Sequence, residues 1–173
     1  MEQYSFADFH CPRWEELPDL GLYMDQVLIV VEGALRPLFP NDPVVLTSTM
    51  VNNYVKQQVL TPSEKKKYRR EHLAVLITIT VLKRVLSVAE IKVVLDRLAE
   101  NADPKTGYNL FCAQLEHRLS GKSGVETCDP LLISAVDAVA GKLQFEAKCA
   151  ELLPVKAPEE KKKKKSSDEQ GRE

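Results

Sequence analysis

A chain of 173 residues, 44% hydrophobic and 28% charged, is long enough for one folded domain with a substantial core, and about 150 of its residues look foldable. No apolar stretch reaches the roughly 18 residues that span a bilayer, and no basic segment followed by an apolar run opens the chain, so membrane and secreted classes are set aside and a cytoplasmic protein is expected. The formal net charge of −1 would argue against a nucleic-acid partner if it were evenly spread, but residues 47–97 carry 10 basic and 4 acidic side chains while residues 1–46 carry 2 and 8.

Residues 1–23 hold Tyr4, Phe6, Phe9, Trp14 and Tyr23 together with Pro12 and Pro18, which predicts an irregular arm pinned by aromatic anchors. Asp25 is a candidate cap for a helix over about 26–35, whose run Val27-Leu28-Ile29-Val30-Val31 is apolar on every side and implies deep burial. A strand fits that run too; helix is preferred because Glu32, Ala34, Leu35 and Arg36 extend it past usual strand length before Pro37, Pro40 and Pro43 end it.

Thr47 can cap a short helix over about 47–57. At about 100° per residue, Met50, Val51, Tyr54 and Val55 share one side, and Thr49, Asn52, Asn53 and Lys56 share the other. The second set offers the hydroxyl, amide and ammonium groups that pair with base edges in a major groove. Pro62 reads as the stop. In the loop 62–70 that follows, Lys65, Lys66, Lys67, Arg69 and Arg70 surround Tyr68, a density of charge suited to phosphate oxygens. Taken singly, a polar-faced helix is most often a surface helix and a lysine run is most often solvated. Their adjacency is what points to DNA.

A strongly apolar helix is predicted over about 70–86 and should be central. Ser87 with Glu90 three residues on is a capping-box signature that opens another helix over about 88–101. Its Val88, Ile91, Leu95 and Leu98 recur at heptad spacing, but barely two heptads are present, so the stripe reads as intramolecular core. Asp103-Pro104-Lys105-Thr106-Gly107 reads as a turn, followed by a short helix over 110–119 that Ser120-Gly121 stops. Asp129-Pro130 supplies a cap and a first-turn proline for a long helix with Ile133, Val136, Ala140, Leu143, Ala147 and Ala150 on one face, ending by Pro154. Residues 155–173, with five consecutive lysines, lack apolar content and read as a disordered tail.

The four cysteines, Cys11, Cys112, Cys128 and Cys149, form no C-x-x-C pair, which predicts reduced thiols with neither a zinc ribbon nor a redox motif. His10 beside Cys11 is too little for a metal site, and His72 and His117 read as packing or surface residues. No nucleophile-and-base pair, glycine-rich phosphate loop or metal-ligand spacing points to an enzyme, and no cofactor is expected.

The order of elements over about 50–95 resembles the MerR-like winged helix-turn-helix headpiece. Val59-Leu60 and Pro62 match the turn after the recognition helix in those regulators, Tyr68 matches the wing tyrosine, and Leu86-Ser87 with Glu90-Ile91 matches the start of the next helix. Gln58 stands where a glycine is usual, Asn52 stands at the recognition-helix arginine, and lysines replace the wing glycine. The segments Trp14-Glu15-Glu16-Leu17-Pro18-Asp19-Leu20, Leu22-Tyr23-Met24-Asp25-Gln26-Val27 and Thr49-Met50-Val51-Asn52-Asn53-Tyr54-Val55-Lys56 resemble a bacterial family catalogued only as a domain of unknown function, over roughly 10–150. These resemblances imply an all-α fold, a helix-turn-helix plus a C-terminal helical bundle, and a DNA-binding regulator.

The expected division is an arm (1–23), a DNA-binding region (24–101), a C-terminal helical region (102–154) and the tail. Thr49, Asn52, Asn53 and Lys56 are expected to reach bases, while Lys65, Lys66, Lys67, Tyr68, Arg69 and Arg70 hold phosphates. Double-stranded DNA is the expected partner, bound by a homodimer joined through the C-terminal helices. The alternative is an adaptor of the same shape that binds protein. An all-α regulator also has room for a small-molecule effector, here beside Phe111, Cys112 and Phe145, although those residues read first as core.

Overall fold

In the computed structural model, which describes residues 6–121 and 129–152, the apolar run beginning at residue 70 becomes α3 (Arg70–Leu82), with ten of its thirteen residues buried. Its two deeply placed threonines are satisfied within the helix: Thr78 Oγ1 donates to the Ala74 carbonyl at 2.9 Å and Thr80 Oγ1 to that of Leu76 at 2.6 Å. The helix ends sooner than its apolar pattern. Ser87 starts the next helix, so residues 83–86 unwind into a turn in which Leu86 N–H still reaches the Leu82 carbonyl at 2.9 Å.

Five further helices surround it: α1 (Met24–Leu35), α2 (Ser48–Lys56), α4 (Val88–Asn101), α5 (Pro104–Ser120) and α6 (Pro130–Leu152). The fold is all-α. The only extended pairing among the described residues is two isolated antiparallel bridges, Leu22 with Tyr68 and Glu64 with Lys67. Helix α3 packs on α1, α5 and α6, and one hydrophobic cluster runs from Phe6 in the arm to Leu143 in α6. Helices α1 to α4 therefore share one core with α5 and α6.

Several boundaries differ from the sequence reading, each for a local reason. Tyr23, not Asp25, is the residue before α1, and Gln26 Oε1 accepts from the Tyr23 N–H at 2.9 Å. Helix α1 is also one-sided: Val27, Val31 and Leu35 are buried, whereas Ile29, on the opposite side, is 71% exposed. Residues 103–107 are not a free turn. Asp103 caps α5 by accepting from Thr106 N–H at 3.1 Å, and Pro104 occupies the first helical position, where its missing N–H is harmless. Gly121, at φ 70°, terminates that helix as expected. The buried face of α6 is Leu132, Ala135, Val136, Val139, Ala140 and Leu143, so Ile133 lies at its edge and Ala150 is exposed. Tyr4, Cys128 and the lysine-rich tail 155–173 lie outside the described residues.

The arm is built into the domain. Phe6, Phe9, Leu17 and Leu22 are buried, and the stretch His10 to Trp14 is bonded to α5: Trp14 N–H donates to Asn109 Oδ1 at 2.8 Å, and Tyr108 Oη donates to the Pro12 carbonyl at 2.8 Å.

Candidate nucleic-acid interface

Thr47 caps α2 as its sequence position implies, its Oγ1 accepting from Met50 N–H at 3.2 Å. Val51 and Tyr54 are buried, with Met50 and Val55 packed against the core; Thr49, Asn52, Asn53 and Lys56 are exposed. The helix stops well before Pro62. Val59 N–H reaches the Tyr54 carbonyl at 3.1 Å and Gln58 N–H that of Val55 at 3.0 Å, the paired bonds of a Schellman motif. That motif needs a left-handed residue, and Gln58 supplies it at φ 57°, in the place where glycine is usual.

The basic loop is a tight hairpin. Glu64 and Lys67 exchange backbone hydrogen bonds at 3.2 and 2.9 Å, and the two residues between them, Lys65 and Lys66, both lie in the left-handed region at φ 50° and 63°. Such two-residue turns normally carry Asn-Gly or Gly-Gly, since both central residues must have positive φ. Two lysines there accept strain, and both side chains are exposed at the tip of the hairpin. Among the described residues neither Lys65 nor Lys66 has an ion-pair or hydrogen-bond partner.

The remaining cations of the loop are less free. Lys67 lies against the arm, its ammonium 5.7 Å from the centre of the Tyr23 ring. Its Cδ would stand 2.9 Å from a Cβ at position 21, so Gly21 is needed for this close approach. Arg69 is exposed and 3.4 Å from Glu64. Arg70 is turned inward: Nε donates to the Leu17 carbonyl at 3.1 Å, and a terminal nitrogen lies 3.7 Å from Asp19. Tyr68 is 6% exposed, its backbone pairs in both directions with Leu22 at 2.8 Å, and its ring meets His72 edge-on at 5.5 Å.

Two expected phosphate ligands are thus corrected. Tyr68 is a buried strut and Arg70 an anchor for the arm, because the alternation of the hairpin turns Tyr68 to the core and α3 begins at Arg70. The exposed set that remains is Thr49, Asn52, Asn53 and Lys56 on α2 and Lys65, Lys66, Lys67 and Arg69 in and just after the hairpin. What the sequence reading missed is the arm: Gly21, Leu22 and Tyr23 seat the hairpin, and no local pattern announces a pairing across 46 residues.

The expected effector position is also corrected. Phe111 and Cys112 are fully buried in the core while Phe145 is 61% exposed on α6, so the three enclose no common space. A groove of about 950 Å³ lies instead against the end of α2, lined by Val55, Val59, Leu60, Val75, Leu98 and Tyr108 among others. No helix of the described residues is long and apolar enough to cross a membrane.

No curated protein and no solved structure matches the chain. A family model does, over residues 12–111, a span that takes in the arm from Pro12, helices α1 to α4, the hairpin and the first part of α5. The chain therefore belongs to the family described as a domain of unknown function, DUF1836.

Proposed function

We propose that this protein is a DNA-binding transcription regulator in which α2 enters a major groove as the second helix of a helix-turn-helix and the hairpin 64–67 acts as a small wing on the phosphate backbone. The observation that carries the reading is the pair Lys65 and Lys66, held at positive φ where glycine would fit without strain. Strained residues persist where a surrounding fold imposes them and a function uses them. The polar face of α2, exposed and close in sequence to these charges, adds four side chains able to read base edges.

In this reading Thr49, Asn52, Asn53 and Lys56 contact bases, while Lys65, Lys66, Lys67 and Arg69 contact phosphates and set the orientation. A homodimer supplies the second half-site, with the exposed Phe145 and Leu152 of α6 as apolar surface for pairing. The site of action is the cytoplasm.

The test is titration of the full chain with mixed-sequence duplex DNA at several salt concentrations. Binding whose log K falls linearly with log salt supports the reading, and no retention on duplex DNA or heparin at low salt refutes it. One observation favours the adaptor alternative: Leu20 and Tyr23 are apolar yet more than half exposed where the arm meets the hairpin. A protein partner there would bind with little dependence on salt.

A further inference from the structure

Cys11 and Cys112 are 101 positions apart in sequence, yet their sulfurs lie 3.1 Å from each other and both residues are fully buried. The contact is closer than two unbonded sulfurs ordinarily approach, and about 1 Å of further movement would bring them to bonding distance. Everything around the pair holds the arm to α5. Glu116 Oε1 accepts from Cys11 N–H at 2.7 Å, Arg13 forks onto both oxygens of Glu116 at 3.0 and 2.7 Å, and Cys112 Sγ is 3.7 Å from the Pro12 carbonyl.

We propose that Cys11 and Cys112 are a modification site, forming a reversible disulfide that latches the arm onto α5 when the protein meets a peroxide. One thiolate attacks the peroxide O–O bond, giving a sulfenic acid and releasing hydroxide. The second thiol then displaces the sulfenic oxygen, which leaves with that thiol's proton as water, while the proton lost when the first thiol ionised neutralises the hydroxide, so the two sulfurs lose two electrons and the peroxide becomes two waters. The neighbouring Cys112 sulfur and burial together push the Cys11 thiol well above its ordinary range, so oxidation is slow while the arm is docked and speeds up with rising pH.

The latch reaches beyond its own neighbourhood because the same arm seats the hairpin. Six residues on from Cys11, the Leu17 carbonyl accepts from Arg70, and at Leu22 the arm pairs with Tyr68. Fixing Cys11 therefore fixes the segment against which Lys67 and Tyr68 rest, whether or not the protein binds DNA.

The test uses the full chain with Cys128→Ser and Cys149→Ser, so that only this pair can react. The folded protein is treated with hydrogen peroxide, with a parallel sample oxidised in urea as a control for chemical competence. The expected result is a loss of two hydrogen atoms by mass, joined peptides containing Cys11 and Cys112, and a rise in Tm on the order of 10 °C that dithiothreitol reverses. Adding Cys112→Ala abolishes all three changes. Two free thiols in the folded sample, with a disulfide in the urea sample, would overturn the proposal. So would a native disulfide that lowers Tm, since the fold would then oppose the bond.

Discussion

Replacing Lys65 and Lys66 together by glycine separates what the hairpin contributes to stability from what it contributes to binding. Both positions have positive φ, at 50° and 63°. A residue with a Cβ pays roughly 1 kcal/mol for that conformation, and glycine returns about half of the gain through the larger entropy it loses on ordering. The double variant should thus be more stable by about 1 kcal/mol in total, a rise in Tm of about 2–4 °C for a domain of this size. Binding should move the other way. Each lysine that neutralises a phosphate contributes roughly 0.9 to the slope of log K against log salt, so the variant should lose about 2 from that slope. Fluorescence anisotropy on a labelled duplex reads the slope, and calorimetry reads the Tm. The companion variant Lys65→Ala with Lys66→Ala removes the charge and keeps the strain, so it should lose the same slope with no gain in Tm. A glycine variant that keeps the parent slope, or melts below the parent, refutes the reasoning.

Gln58→Gly relieves the same strain at the end of α2, where φ is 57°, and should raise stability by about 0.5–1 kcal/mol, read as a higher urea midpoint at unchanged m-value. An unchanged midpoint would mean the left-handed turn is not strained. Asn52→Ala, at an exposed position, should change stability by less than about 0.5 kcal/mol. In selection from random duplexes it should relax preference at one or two base pairs; a uniform loss over all sequences would assign Asn52 to the backbone. Burial works against the charge of Glu116, but Arg13 and the Cys11 N–H outweigh it and hold its carboxyl below the ordinary 4.5. A depressed carboxyl stabilises the fold above its unfolded value and loses that contribution as pH falls through the folded value. Glu116→Gln should therefore cost about 1–2 kcal/mol at neutral pH, and the gap to the parent should close as pH drops below 4.5. A gap that persists unchanged in acid would show that the pair carries no such linkage.

Elements whose signals are local were legible in the chain. Thr47 and the Ser87 to Glu90 box announce helix starts because capping is settled within four residues, and the faces of α2 follow from helical spacing alone. The same local signal stands at Asp103-Pro104, where a cap and first-turn proline open α5 just as Asp129-Pro130 opens α6. The exposure of Ile29 was not legible, since a run apolar on all sides does not say which side a neighbour will cover. Nor was the inward turn of Tyr68 and Arg70, which in the sequence are simply two more members of a basic cluster.

By itself the sequence determined the helical class, the placement of most helices, the concentration of positive charge near residues 47–70 and the polar face of α2. Those depend on hydrogen bonds and side-chain periodicity within a turn or two of helix. Only the tertiary structure decided which cations of the cluster stay free, because the arm reaches 46 residues along the chain to pair Leu22 with Tyr68 and draws Arg70 and Lys67 onto itself. It also decided that Gln58, Lys65 and Lys66 adopt positive φ and that Cys11 meets Cys112. Contacts between distant segments depend on how the whole core packs, and no short window of sequence contains that information.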